Sequence, residues 1–285
     1  MSRWAYVNGQ FVRHGDASVH IEDRGYQLAD GVYEVWAVLG GKLADTEGHF
    51  TRLERSLDEL KIARPMSRKA LELVLREALR RNRVREGLVY LQVSRGVARR
   101  DHAFPATPVS PSIVITAKSL DRVSSNAKAE AGVGVITTPE NRWGRCDIKT
   151  IGLLPNVLAK QAARERGAAE AWFIDEMGLV TEGASSNAWI LDKEGVLRTR
   201  DTQANILRGV TRKSLLEVIA DEGLKVEERP FTPQEAREAK EAFITGAGTL
   251  VTPVTSIDGQ PVGDGKAGPV ATRLRQLYIE RARSA

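Results

Sequence analysis

Cysteine is almost absent: Cys146 is the only one in 285 residues. No intrachain disulfide is available, and a reducing compartment fits. Histidine is scarce as well, and His14, His20, His49 and His102 lie too far apart for a local zinc motif, so no metal is expected. No apolar run approaches the roughly 20 residues of a membrane span, and the opening MSRWAYVNGQFV lacks the apolar core of a signal peptide. The expectation is a cytoplasmic protein with no membrane partner. G-x-G-x-x-G, the Walker A loop and G-x-S-x-G are all missing, which removes the commonest nucleotide and serine-hydrolase fingerprints. The net charge of +5 is modest, and no basic stripe is interleaved with aromatics, so nucleic acid is not an expected partner.

What is present is an ordinary globular composition, 42% hydrophobic and 28% charged, in a chain long enough for two compact domains. Arginines alternating with glutamates, as in RLERSLDELKIAR and LREALRRNRVREG, read as solvated helix faces.

WAYVNGQFV reads as a hairpin turning at Asn8-Gly9, because both residues tolerate positive φ, and GVYEVWAVLGGKLAD repeats the pattern at Gly40-Gly41. Apolar spacing predicts helices near 47–63 and 67–82, followed by strands in GLVYLQVSRG and SIVITAK. The polar, Ser-rich segment 119–130 is expected to be a linker between a smaller domain, 1–118, and a larger one, 131–285. Beyond it, strands are expected near 132–138, 170–175, 187–191, 196–199, 224–229 and 241–245, with helices near 153–166, 209–222, 233–239 and 267–283. Hairpins and helices without regular βαβα alternation argue an α+β, mixed α/β fold in two domains.

Lys149, between Ile148 and the run Thr150-Ile151-Gly152, is not on a charge-rich face. It is either a lysine that reaches to water or an amine nucleophile able to form a Schiff base. Glu182 stands just before Gly183 and the hydroxyl pair Ser185 and Ser186, which by themselves suit a turn. Gly209, Val210 and Thr211 open an amphipathic helix whose first N–H groups can bind an anion, and Arg52 offers a planar fork for a phosphate or merely a surface charge. Together, a lysine, a carboxylate, an arginine and a helix N-terminus are the parts needed to hold pyridoxal 5'-phosphate.

The segments EDRGYQLADGVYEV, GHFTRL, RGVARRDHAFP, RWGRCDIKTIGLLPNVLAKQ, VTEGASSN, ILRGVTR and TPVTSIDG follow one another across nearly the whole chain. In this order they resemble the class IV aminotransferases, pyridoxal-phosphate enzymes of fold type IV, and among these the D-amino acid transaminases. The resemblance implies that Lys149 carries the cofactor as a Schiff base and shuttles the Cα proton. It implies that Glu182 pairs with the pyridine nitrogen, that Arg52, Val210 and Thr211 bind phosphate, and that Leu207 packs on the ring. Ser185 and Ser186 would lie in the active-site turn. Tyr33, Arg100 and His102 match the family's substrate carboxylate trap, whose loop reaches the partner's site, which implies a homodimer with shared active sites. In FITGAGTLVTP the family's second phosphate hydroxyl is replaced by Ala247, leaving the backbone N–H groups of the loop that begins at Gly246.

The activity so implied is transamination between D-alanine, D-glutamate or D-aspartate and 2-oxo acids such as pyruvate and 2-oxoglutarate. The alternatives are a branched-chain L-amino acid aminotransferase, 4-amino-4-deoxychorismate lyase, or a non-catalytic binding protein on the same fold. The Arg100-x-His102 pair disfavours the first two, and the joint presence of Lys149 and Glu182 disfavours the last. An extended run over 99–103 would place Arg100 and His102 on one side.

Overall fold

The computed structural model describes residues 3–203 and 205–284. It divides into two compact units: the chain up to Asp121 together with Ile148–Gly152, and Arg122–Asp147 together with Leu153 onward.

In the first unit, β1 (Trp4–Val7) and β2 (Gln10–Arg13) form the expected hairpin. Asn8 at φ 45° and Gly9 at φ 98° supply the turn. A short helix, α1 (Arg24–Leu28), begins at Asp23, whose carboxylate accepts from the Gly25 N–H. Strands β3 (Gly31–Leu39) and β4 (Lys42–Leu43) precede helices α2 (Thr46–Glu59) and α3 (Arg68–Asn82), and β5 (Gly87–Ser94) and β6 (Ser112–Ser119) complete an antiparallel sheet in the order β2-β1-β6-β5-β3-β4. The Ser67 hydroxyl caps α3 by accepting from the Ala70 N–H. The apolar stripes of α2 (Phe50, Leu53, Leu57) and α3 (Leu71, Leu75, Leu79) join Trp36 and its neighbours on the sheet in one core. Trp36 is wholly buried; removing an indole of this size from water contributes about 4–6 kcal/mol.

Ile148–Gly152 lies along β3. Thr150 bridges Val32, the Tyr33 N–H donates to Lys149 O at 3.0 Å, and the Ile151 N–H donates to Gly31 O at 3.1 Å. The segment is thus fixed at the backbone, with Ile148 in the core.

Residues 119–130, expected as a linker, are mostly helix α4 (Arg122–Ala131), which belongs to the second unit. Its Ser and Asn residues read locally as a loop, yet Ala129 is buried and the Arg275 guanidinium donates to Asn126 Oδ1 at 3.0 Å, so packing overrides composition.

There follow β7 (Val133–Pro139), α5 (Leu154–Glu165), β8 (Glu170–Ile174), β9 (Val180–Gly183), β10 (Asn187–Leu191), β11 (Leu197–Thr199), α6 (Val210–Asp221), β12 (Val226–Glu228), α7 (Pro233–Glu238), β13 (Glu241–Gly246), β14 (Leu250–Ile257), β15 (Gln260–Pro261) and α8 (Pro269–Ser284). The sheet runs β12-β11-β10-β13-β14-β7-β8-β9, with β15 on β14. It is parallel at β14/β7, β7/β8 and β11/β12 and antiparallel elsewhere. The fold is therefore mixed α/β, as the pattern predicted. Sequence patterning missed β14. Pro253 removes a ladder donor from that strand, and the irregular register with β7 begins at the next residue, Val254.

Candidate active site

In the first unit, Lys149 is half-buried with its ammonium 4.2 Å from the centre of the Tyr33 ring. A cation so placed over a phenol gains roughly 0.5–2 kcal/mol. Tyr33 in turn packs on Tyr90, the ring centres 5.7 Å apart. Burial pushes the Tyr90 hydroxyl up to about 12; it donates to Gln92 Oε1 at 2.7 Å.

Strand alternation puts Glu34 on the face of β3 opposite Tyr33. Glu34 is completely buried and receives Arg52 in a two-point grip, Nε to Oε1 at 2.7 Å and Nη2 to Oε2 at 2.8 Å. His49 Nδ1 adds a third contact, 2.7 Å from Oε2. Burial alone would raise the Glu34 pKa; the Arg52 charge and the hydrogen bonds from Arg52 and His49 outweigh it and hold the carboxyl at about 2. Burial also lowers His49, so its neutral ring donates Nδ1–H to the carboxylate. Arg52, expected as a phosphate ligand, is thus oriented by a buried carboxylate and not turned freely to solvent.

Residues 99–103 are a bent loop rather than an extended strand, and the Ala103 N–H donates to Asp101 Oδ1 at 3.2 Å. The same-side alternation expected of Arg100 and His102 therefore does not apply. Both are exposed, and their side chains have no partner among the described residues.

In the second unit, Glu182 closes β9 and is buried. Arg142 Nη1 donates to its Oε1 at 2.5 Å, Asn187 Nδ2 to its Oε2 at 3.1 Å, and the Leu207 N–H points between both oxygens at 3.1 and 3.2 Å. Arg142 also grips both oxygens of Glu140 and lies 4.4 Å from the Phe173 ring centre. Burial opposes the Arg142 charge, but Glu140 and Glu182 outweigh it and raise its pKa above the usual arginine value. Nearby, burial pushes the Cys146 thiol up to about 11, so it is a packed group and not a nucleophile.

Ser185 and Ser186 both direct their hydroxyls at buried Glu170, at 2.7 and 3.0 Å. Their protons are committed to building this turn. Gly209 begins α6 with no side-chain cap, so the N–H groups of Val210 and Thr211 are not taken by a capping side chain. Any Cβ at Gly209 would collide with Asn187 Oδ1, so the close approach of α6 to β10 needs glycine. Gly246 and Ala247 follow at the end of β13. In the same turn the buried Thr249 hydroxyl has no hydrogen-bond partner. Within this unit, the uncapped helix start and the orphaned Thr249 hydroxyl suit the phosphate of pyridoxal phosphate, and the fixed Glu182 carboxylate suits its ring nitrogen.

Glu34, His49, Arg142 and Asn187 were given no role from the sequence. For Glu34 a signal existed: a carboxylate inside the nine-residue strand GVYEVWAVL must find a buried cation. For Arg142 none did, since its partners Glu140 and Glu182 become neighbours only when β7 and β9 flank β8.

The family model for class IV aminotransferases matches residues 31–257. The chain is 41% identical over 279 residues to the D-alanine aminotransferase of Staphylococcus haemolyticus, covering 96% of this chain and 97% of that one. It is also 41% identical over 268 residues to the D-alanine aminotransferase of Bacillus licheniformis, covering 94% and 93%. Among solved structures it resembles the branched-chain amino acid aminotransferase of Escherichia coli, with TM-score 0.91, 25% identity and coverage of 99% and 95%. A second branched-chain amino acid aminotransferase, that of T.th. with pyridoxamine 5'-phosphate, gives TM-score 0.90, 27% identity and coverage of 99% and 94%.

Proposed function

The chain belongs to the class IV aminotransferases, and from that membership we propose that it transfers amino groups from D-amino acids such as D-alanine, D-glutamate or D-aspartate to 2-oxo acids such as pyruvate or 2-oxoglutarate. The observation that carries the choice of hand is the near-full-length identity of 41% to D-alanine aminotransferases, against 25–27% to the branched-chain enzymes of similar fold.

Pyridoxal phosphate, when bound, supplies a ring that takes up the electron pair left at the substrate Cα. Lys149 would be the covalent anchor, and its Nζ, freed by the incoming amine, would move the substrate Cα proton to the cofactor carbon in the first half of the transfer and a proton to the acceptor's Cα in the second. The Glu182 carboxylate would pair with the ring nitrogen and keep a proton there. Arg142, Asn187 and the Leu207 N–H fix that carboxylate in place. Arg52 and the N–H groups of Val210 and Thr211, with the backbone of Gly209, Gly246 and Ala247, would hold the phosphate, and Leu207 would pack on the ring. Before the cofactor binds, the Tyr33 ring steadies the Lys149 ammonium.

Arg100 and His102, exposed on their loop, grip the substrate carboxylate in the site of a second subunit. A homodimer is part of this reading. Supporting it, Leu154, Val157 and Leu158 stand exposed on one face of α5, and in the first unit Ile21 and Tyr26 are each 75% exposed. A cytoplasmic setting accords with the lone cysteine.

The test is the visible spectrum of the purified holoenzyme. D-Alanine should bleach its yellow band and L-leucine should not. Bleaching by L-leucine alone would replace this reading with the branched-chain one.

A further inference from the structure

The loop carrying Arg100 and His102 has little regular structure of its own, yet a carboxylate trap works only if its groups stand where the substrate needs them. What holds it is a buried pair of arginines sharing one aspartate. The Arg24 side chain is 3% exposed, and its Nε donates to Asp30 Oδ2 at 2.8 Å. Its remaining nitrogens reach the loop backbone: Nη1 donates to Asp101 O at 2.7 Å and Nη2 makes a longer 3.5 Å contact with His102 O.

Arg95 takes the same carboxylate from another side, Nε to Oδ2 at 2.7 Å and Nη2 to Oδ1 at 2.9 Å. It also donates to Leu60 O and Lys61 O behind it, and its guanidinium lies 3.7 Å from the Phe104 ring centre. Residues 101 and 102 are thus tied by Arg24 and residue 104 by Arg95, with Asp30 fixing both.

The base of this arrangement is rigid. The Arg24 N–H donates to Gly96 O at 2.9 Å, Asp23 bridges Val97, and the Ala98 N–H donates to Glu22 O at 3.3 Å. Gly96 sits at φ 108°, and a Cβ there would collide with Ser110 O, so the chain passes only as glycine.

We propose that Arg24 is a positioning residue for substrate recognition: held by Asp30, it fixes the carbonyls of Asp101 and His102 and so sets where Arg100 and His102 present their side chains. This rests on the reading of Arg100 and His102 as the carboxylate trap. A planar fork is required because three acceptors are met at once; a lysine has one nitrogen to offer. Arg24 touches neither substrate nor cofactor, so its effect belongs in KM and not in cofactor retention.

The experiment is a double-mutant cycle on the holoenzyme, measuring KM and kcat for D-alanine and bound cofactor by absorbance. Arg24→Met should raise KM about tenfold with kcat changed less than about twofold, and Arg24→Lys should raise it less. In the Arg100→Ala background, Arg24→Met should add clearly less than its effect alone, because of the two groups it positions only His102 remains. If Arg24→Met does not fold, Arg24→Lys carries the same cycle. Multiplying KM effects, or an unmoved KM in the Arg24 variants while Arg100→Ala raises it, would overturn the proposal alone. An unmoved KM in Arg100→Ala would overturn the trap reading and this proposal with it.

Discussion

Arg142 Nη1 lies 2.5 Å from Glu182 Oε1 while its Nε and Nη2 hold Glu140 at 2.8 and 2.6 Å, so one buried guanidinium is shared by two carboxylates. Removing it by Arg142→Met leaves both carboxylates in the interior without their cation. Loss of one partner of a buried ion pair costs about 3–5 kcal/mol. Urea unfolding should show a loss of that order, with Arg142→Lys intermediate; an unchanged midpoint would mean that water already solvates Glu182.

Glu182→Gln preserves shape and removes charge. The amide cannot keep a proton on the ring nitrogen, so kcat should fall about a hundredfold or more. The yellow band should persist, because the covalent anchor is elsewhere. Full activity in this variant would reduce Glu182 to a buried turn residue.

Lys149→Ala should remove both the yellow band and multiple turnover while the first unit stays folded, since the segment is fixed on β3 by backbone hydrogen bonds and by Ile148. Circular dichroism checks the fold, and sustained product formation would refute the role.

Acid should loosen the first unit through Glu34. Its folded pKa, about 2, is below the ordinary 4.5. The stability it contributes, roughly 3 kcal/mol, is therefore present above pH 4.5 and lost as pH falls towards 2. His49, lowered from 6.5 by burial, adds a loss that begins as pH falls below 6.5. Urea midpoints measured from pH 7 to pH 3 should decline accordingly. Glu34→Gln should lower the midpoint at pH 7, by removing the carboxylate charge that faces Arg52, and flatten the decline below pH 4.5. An unflattened decline would place the acid sensitivity elsewhere.

Ala247→Thr supplies a hydroxyl to the turn between β13 and β14. One added neutral hydrogen bond to a phosphate oxygen is worth about 1 kcal/mol, or roughly fivefold slower cofactor loss on dialysis. Thr249→Val is the companion variant. If the partnerless Thr249 hydroxyl already serves the phosphate, its removal should speed the loss while Ala247→Thr changes little.

The strands and helices that declare themselves locally were legible: Asn8-Gly9 and Gly40-Gly41 turned hairpins as their positive φ allows, and the stripes of α2 and α3 became the core. Where tertiary contact outvoted local preference the pattern misled, in α4, built from polar residues and steadied by Arg275, and in β14, which carries a proline.

By itself the sequence determined the family, because the lysine block and the VTEGASSN turn are chemical requirements written in contiguous residues. It also determined the mixed α/β fold, because hydrophobic period is a local property. Only the tertiary structure decided what surrounds those residues. Glu34 meets Arg52 18 positions later, Arg142 meets Glu182 40 positions later, and Arg24 meets Asp101 77 positions later. A buried charge can announce locally that it needs a partner, as Glu34 does, but not which one, since it is satisfied by whatever partner the folded backbone brings within hydrogen-bond distance.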